Sequence, residues 1–192
     1  MCSSDLGVRF LQAGVGWGGS CFAKDTAALI ATAKEYNLSL PTVEAAREVN
    51  RRQRERVVEK LLGELKILKG RTIGLMGLAF KPNTDDLRDA PALDIAQRLL
   101  ERGARVRAHD PVALPRARRE CAACGIVFCE DVASLAEGAD GLVLVTEWPQ
   151  YREVDWTALR KVLASPLVVD CRNYLDAAAI TGAGFRYLGM GR

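Results

Sequence analysis

The residues richest in chemistry lie close together near the start of the chain, in Gly16-Trp17-Gly18-Gly19-Ser20-Cys21-Phe22-Ala23-Lys24-Asp25. Closely spaced glycines let backbone amides approach a ligand. Cys21 stands at the entry to an expected helix, where backbone N–H groups and the helix dipole favour a nucleophilic sulfur. Lys24 adds positive charge one turn on, and Asp25 offers a carboxylate that could orient or deprotonate a water. A thiol beside a carboxylate suits covalent catalysis through an acyl or hemiacetal adduct. The same residues also read as a buried cysteine under a glycine turn, with Asp25 simply favourable in the first turn of the helix.

Two helices are expected to carry this segment. Ala27, Leu29, Ile30 and Ala33 form one apolar stripe that ends near Asn37. Leu40-Pro41-Thr42 opens a second, longer helix, with Pro tolerated in the first turn. It is punctuated by Val43, Ala46, Val49, Val57, Leu61 and Leu62, and its polar face runs from Glu44 through Arg47, Arg51 and Arg54 to Lys60. Mixed charge signs point to a solvated or partner-facing helix. A helix of this length needs a tertiary partner, and a second copy of itself is the expected one.

From Lys69-Gly70 onward strands alternate with helices. Thr72 to Met76, Arg105 to His109, Ile126 to Phe128, Gly141 to Val145, Leu167 to Val169 and Phe185 to Leu188 read as strands. Ala92 to Glu101, Arg116 to Ala123, Asp131 to Glu137 and Asp155 to Leu163 read as helices. Such alternation predicts an α/β fold, a Rossmann-like, doubly wound parallel sheet, preceded by the helical segment. The expected division is residues 1–68 for the helical segment with the nucleophile loop and 69–192 for the nucleotide-binding domain. The first turn, Gly74-Leu75-Met76-Gly77-Leu78-Ala79-Phe80, lacks the second glycine of G-x-G-x-x-G, and Asp110 lies further along than that fingerprint's acidic residue. The sheet's carboxyl edge should still hold a ligand at its switch point. Lys81 and Arg88 there read either as phosphate partners or as solvated surface charges.

Composition excludes several classes. Apolar residues make up 49% and charged residues 27% of 192 residues, with 27 Lys+Arg against 24 Asp+Glu for a net charge of +3. That is too mild for a nucleic-acid binder, whose basic residues cluster in a stripe. No apolar run approaches the roughly 18 residues of a membrane span, and no secretory signal is visible. The six cysteines are therefore expected to be reduced, in a cytoplasmic protein. Cys121-x-x-Cys124 lacks the further ligands of a zinc site and sits at a helix end, so no metal site is expected.

Phe10 to Thr26 resembles the nucleophile segment of the UDP-glucose/GDP-mannose dehydrogenase family. Gly77-Leu78-Ala79-Phe80-Lys81-Pro82-Asn83-Thr84-Asp85-Asp86-Leu87-Arg88 is similar to that family's C-terminal signature, as are His109-Asp110-Pro111, Thr146-Glu147-Trp148 and Val169-Asp170-Cys171-Arg172-Asn173. The resemblance implies an NAD-dependent enzyme that oxidises the C6 alcohol of UDP-glucose or a related nucleotide sugar to the uronate through a cysteine thiohemiacetal and thioester. It implies Cys21 and Asp25 as catalytic, and Lys24 and Arg88 as cofactor-binding. Phe10, Leu11, Gln12, Ala13, Gly14, Gly18, Lys81 and Arg172 would bind substrate, and the long helix would form a homodimer. Ala23 stands where the family commonly has Pro, and Cys171 where Gly is common. The family's N-terminal G-x-G-x-x-G domain is not among these residues, so the chain alone is expected to be inactive. It could instead serve as a non-catalytic nucleotide-sugar-binding or dimerisation module. Cys2 to Leu6 reads as an adaptor-like artefact and is set aside.

Overall fold

A computed structural model describes residues 13–191. Helix α1 spans Ser20–Glu35 and α2 spans Pro41–Leu65. There follow β1 (Thr72–Met76), α3 (Pro91–Glu101), β2 (Arg105–His109), α4 (Leu114–Glu120), β3 (Ile126–Phe128) and α5 (Val132–Ala136). The chain continues through β4 (Gly141–Leu144), a short 3-10 turn (Pro149–Arg152), α6 (Trp156–Val162), β5 (Leu167–Asp170), α7 (Ala177–Gly182) and β6 (Arg186–Gly189).

The strands form a sheet of order β3-β2-β1-β4-β5-β6, every pairing parallel. This is the strand order of a doubly wound nucleotide-binding fold, with its switch point between β1 and β4. All residues of β1, β4 and β5 are buried, as strands covered by helices on both faces must be. Local signals start the helices. Asp131, Asp155 and Asp176 each cap a helix by accepting backbone N–H groups, and Pro41 and Pro91 occupy first turns. Helix α3 buries Pro91, Ala92, Ile95, Ala96 and Leu99, one apolar stripe at i, i+3, i+4 spacing. Among the described residues no helix is long and apolar enough to cross a membrane.

One expectation, the position of α4, is corrected, and two features of the helical segment become specific. Helix α4 begins at Leu114 and ends at Glu120, earlier than the expected Arg116 to Ala123. The Asp110 carboxylate accepts the Val112 and Ala113 amides and so sets the turn that leads into the helix before the first arginine. Helix α2 is not solvated along its whole polar face: Arg54 is only 7% exposed, and Val57, Val58 and Leu61 enter the core of the sheet domain. The apolar stripe of α1 covers no core. None of its residues is buried: Ile30 and Ala33 are half-buried, while Leu29 is 53% exposed.

Candidate functional site

The carboxyl ends of the strands are organised by two buried aspartates. Asp110, after β2, accepts the Leu78 and Ala79 amides at 2.7 and 3.0 Å, the Val112 and Ala113 amides at 2.9 and 2.7 Å, and the Trp148 indole N–H at 3.1 Å. The turn after β1 thereby turns its amides inward onto a side chain of the protein. Gly77, at φ +93°, has no room for a Cβ, which would lie 2.5 Å from Thr146 Cβ. A Cβ on Gly74 would meet Leu142 at 2.8 Å. These glycines serve packing, and the amides that cradle a pyrophosphate in a dinucleotide fold are already satisfied here. Asp170, ending β5, accepts the amides of Arg172, Tyr174 and Leu175 and the Tyr187 hydroxyl at 2.8–2.9 Å. It folds the loop that presents Arg172.

Arg172 is half-buried and pinned from its middle. Its Nε donates to the Val145 carbonyl at 2.9 Å and lies 3.3 Å from the Glu147 carboxylate. That Glu147 oxygen is buried and, among the described residues, accepts no hydrogen bond beyond this ion-pair contact. Burial of Cys171 pushes its thiol well above the ordinary range, so it stays protonated.

The glycine-rich segment is laid across this edge. Val15 is fully buried, and its amide donates to the Cys171 carbonyl at 3.1 Å. A Cβ on Gly14 would come within 3.3 Å of both Arg172 Nη1 and the Cys171 oxygen, so this position stays small. A Cβ on Gly18 would strike Asp89 O at 2.5 Å, and one on Gly19 would lie 2.9 Å from the Phe80 ring. The Gly19 amide donates to the Arg88 carbonyl at 3.1 Å.

The segment thus delivers Cys21, in the first turn of α1, to the loop that carries Lys81 and Arg88. The Cys21 thiol is exposed. Lys24 and Asp25 form an exposed ion pair at 3.2 Å, a contact that adds little stability. Arg88 is clamped bidentately on Asp86, with Nε at 2.9 Å and Nη2 at 2.6 Å. That clamp lowers the Asp86 carboxyl to about 2 and raises Arg88, which also feels the nearby Cys21 sulfur. Lys81 is exposed and lies 5.3 Å over the Phe80 ring.

Family models match both parts of this arrangement. One, the UDP binding domain of the UDP-glucose/GDP-mannose dehydrogenase family, matches residues 74–177, and the same family's central domain matches residues 1–52. The chain belongs to the UDP-glucose/GDP-mannose dehydrogenase family. It is 42% identical over 191 residues to the UDP-glucose 6-dehydrogenase TuaD of Bacillus subtilis, covering 98% of this chain and 41% of that protein. It is 46% identical to a UDP-glucose 6-dehydrogenase of Pseudomonas aeruginosa, covering 97% of this chain and 42% of the relative. The chain therefore spans about two-fifths of the length of these curated relatives. Among solved structures, a UDP-glucose dehydrogenase from Pyrobaculum islandicum superposes with a TM-score of 0.82 at 36% identity, covering 96% of this chain and 40% of that one. A UDP-D-ManNAc dehydrogenase from Pyrococcus horikoshii gives 0.75 at 27% identity, covering 93% and 40%.

Within this family fold the expected site residues divide into groups. Ala13, Gly14, Gly18, Cys21, Lys81, Arg88 and Arg172 lie along one edge, joined by the backbone contacts at Cys171 and Arg88. Lys24 and Asp25 follow on the exposed helix. Phe10, Leu11 and Gln12 lie outside the described residues, as do Met1 to Leu6. Two residues that shape the site escape a reading of motifs alone, Asn50 and Arg54 on α2, both buried. A signal for them exists. Positions 43, 47, 50, 54, 57 and 61 follow alternating four- and three-residue steps, the stripe that should face a core. Arg47, Asn50 and Arg54 are polar residues at three of those positions.

Proposed function

We propose that this chain supplies the nucleophile loop and the nucleotide-sugar-binding half of an NAD-dependent, cytoplasmic dehydrogenase that oxidises the C6 alcohol of UDP-glucose, or a close relative, to the uronate. The observation that carries the reading is the pair of backbone contacts, Val15 to Cys171 and Gly19 to Arg88, each 3.1 Å. They bring the exposed thiol and the cations Lys81, Arg88 and Arg172 to the carboxyl edge of one sheet, where α/β folds bind ligands.

In this reading Arg172 and Lys81 bind the diphosphate and sugar, with Arg172 preset by Val145 and Glu147. Gly14 and Gly18 offer the substrate their backbone, while the space a Cβ would need there is filled by Arg172 and Cys171 and by Asp89 and Pro91. NAD, when bound, supplies the two-electron acceptor for each of two oxidations. The turn after β1 does not fit its pyrophosphate, since Asp110 occupies the Leu78 and Ala79 amides. Lys24 and Arg88, exposed cations on either side of Cys21, fit an anionic group of the cofactor. At the aldehyde stage the Cys21 sulfur adds to C6 to form a thiohemiacetal. Its oxidation leaves a thioester, and attack by water oriented at Asp25 releases the acid and returns the thiol. A sulfur nucleophile suits both demands, since the thioester forms by loss of hydride and its thiolate then leaves readily. A homodimer through the long helix α2 is supported by exposed Val49 on that helix and by exposed Phe22 and Leu29 on the neighbouring α1.

Thiol labelling tests the reading. Iodoacetamide should alkylate Cys21 rapidly, UDP-glucose should slow that reaction, and Cys21→Ala should remove it. Labelling of Cys21 at an unchanged rate in saturating UDP-glucose would overturn the assignment.

A further inference from the structure

The nucleophile loop is also held by two buried residues of α2. Asn50 clasps Trp17 at both ends of that residue's backbone: its Oδ1 accepts the Trp17 amide at 2.8 Å and its Nδ2 donates to the Trp17 carbonyl at 3.2 Å. Arg54, one turn on, donates from Nη2 to the same carbonyl at 3.0 Å. Its Nη1 bridges Asp89 Oδ1 at 3.2 Å and Asp94 Oδ2 at 2.9 Å. Asp89 follows Arg88 directly, and Asp94 is in the first turn of α3. Gly16 completes the clasp, because any Cβ there would sit 2.2 Å from Asn50 Oδ1.

Burying a guanidinium and an amide costs desolvation that apolar residues on the same stripe would avoid. Among the described residues the buried Arg54 Nε finds no hydrogen-bond partner. What the pair provides is a fixed distance between α2, the glycine loop and the Arg88–Asp89 loop. Cys21 lies four residues beyond Trp17, with Gly18 and Gly19 between. On the α2 side the clasp holds the stretch before Cys21, while Arg47 donates to the Ala23 carbonyl at 2.7 Å just beyond it.

We propose that Asn50 and Arg54 are positioning residues for Cys21, setting the place of the sulfur relative to the Arg88 loop through the Trp17 backbone. The proposal rests on the reading of Cys21 as the nucleophile and adds the residues that aim it.

The experiment uses the 192-residue chain, with Asn50→Ala, Arg54→Lys and Arg54→Met. Amide hydrogen exchange reports the clasp, iodoacetamide labelling of Cys21 against exposed Cys124 reports the aim, and thermal unfolding reports the fold. In Asn50→Ala the Trp17 amide should lose about tenfold or more in protection while the β1 amides keep theirs. Cys21 labelling, measured relative to Cys124, should slow about threefold or more as the first turn of α1 loses its fixed place beside the Arg88 loop. Arg54→Lys keeps a cation between Asp89 and Asp94 but cannot also reach Trp17, so it should hold the melting temperature and still slow Cys21. Arg54→Met tests the ion pairs as well and should cost stability. If Arg54→Met or Asn50→Ala fails to fold, Arg54→Lys decides. Cys21 labelling that stays at the parent rate in folded Arg54→Lys overturns the proposal, even where the Trp17 amide has lost protection. Failure of the nucleophile reading would show elsewhere, as absence of UDP-glucose protection in the unsubstituted chain.

Discussion

Gly19 donates its amide to the carbonyl of Arg88 at 3.1 Å, and this one bond ties the start of the nucleophile helix to the loop that follows the first strand. Gly19 holds φ +87° and packs against Phe80, so a larger residue would break the contact twice, through strain and through a clash. The consequence is mechanical. Any force that moves the Arg88 loop also moves the first turn of α1, and with it Cys21.

Asp110 should be the costliest single side chain to remove from the sheet edge. Asp110→Ala would strand the amides of Leu78, Ala79, Val112 and Ala113 and the Trp148 indole. Each buried donor left without an acceptor costs about 1–3 kcal/mol, so the loss should reach about 3–5 kcal/mol after partial relaxation. Urea denaturation measures it. Asp110→Asn, which keeps one acceptor oxygen, should cost less. Equal, small losses for both would show that these hydrogen bonds are replaced by water.

The Arg88–Asp86 clamp makes a pH prediction. The Asp86 carboxyl is held at about 2, below its ordinary value of 3.8, mainly by hydrogen bonds from Arg88. A group with a depressed folded value binds fewer protons folded than unfolded. Its contribution is therefore present above pH 4 and is lost as pH falls toward about 2. In Arg88→Met the Asp86 titration, followed by carboxyl NMR, should move up toward 3.8, and the acid slope of stability should flatten over that window.

Arg172 should matter for ligand far more than for fold. Its partners are one carbonyl and one carboxylate at the site, Val145 and Glu147. Hydrogen bonds from a charged donor contribute about 1.5–3 kcal/mol, so Arg172→Met should weaken UDP-glucose binding roughly 10- to 100-fold by calorimetry while melting is nearly unchanged. Binding unchanged in that variant would remove Arg172 from the substrate site.

The exposed face of α1 predicts an assembly. Leu29 is 53% exposed and Phe22 48% exposed on one apolar helix. Leu29→Asp should convert a dimer to a monomer in light scattering without unfolding the sheet domain. A parent chain that is already monomeric would refute the dimer.

Much of the architecture was legible in the residues because it is locally encoded. The strands Thr72–Met76, Arg105–His109 and Ile126–Phe128 coincide with short apolar or alternating runs. Asp caps and first-turn prolines mark helix starts through the residue itself. The Gly16–Asp25 run and the Arg88 signature were legible for the same reason: their chemistry is carried by residue type and spacing. Arg54 stands in a polar face that reads as solvated or partner-facing, and charge by itself does not say which of the two it is or that it is buried.

The sequence by itself determined the class of fold, the family and the candidate chemistry, because helical period, strand alternation and motif spacing are properties of neighbours along the chain. Only the tertiary structure decided the strand order, the inward turn of the Leu78 and Ala79 amides onto Asp110, and the grip of Asn50 and Arg54 on Trp17. Those contacts join residues 31 to 37 positions apart. They exist only after the sheet and the long helix have packed, when a buried polar group must find its partner or leave the core unstable.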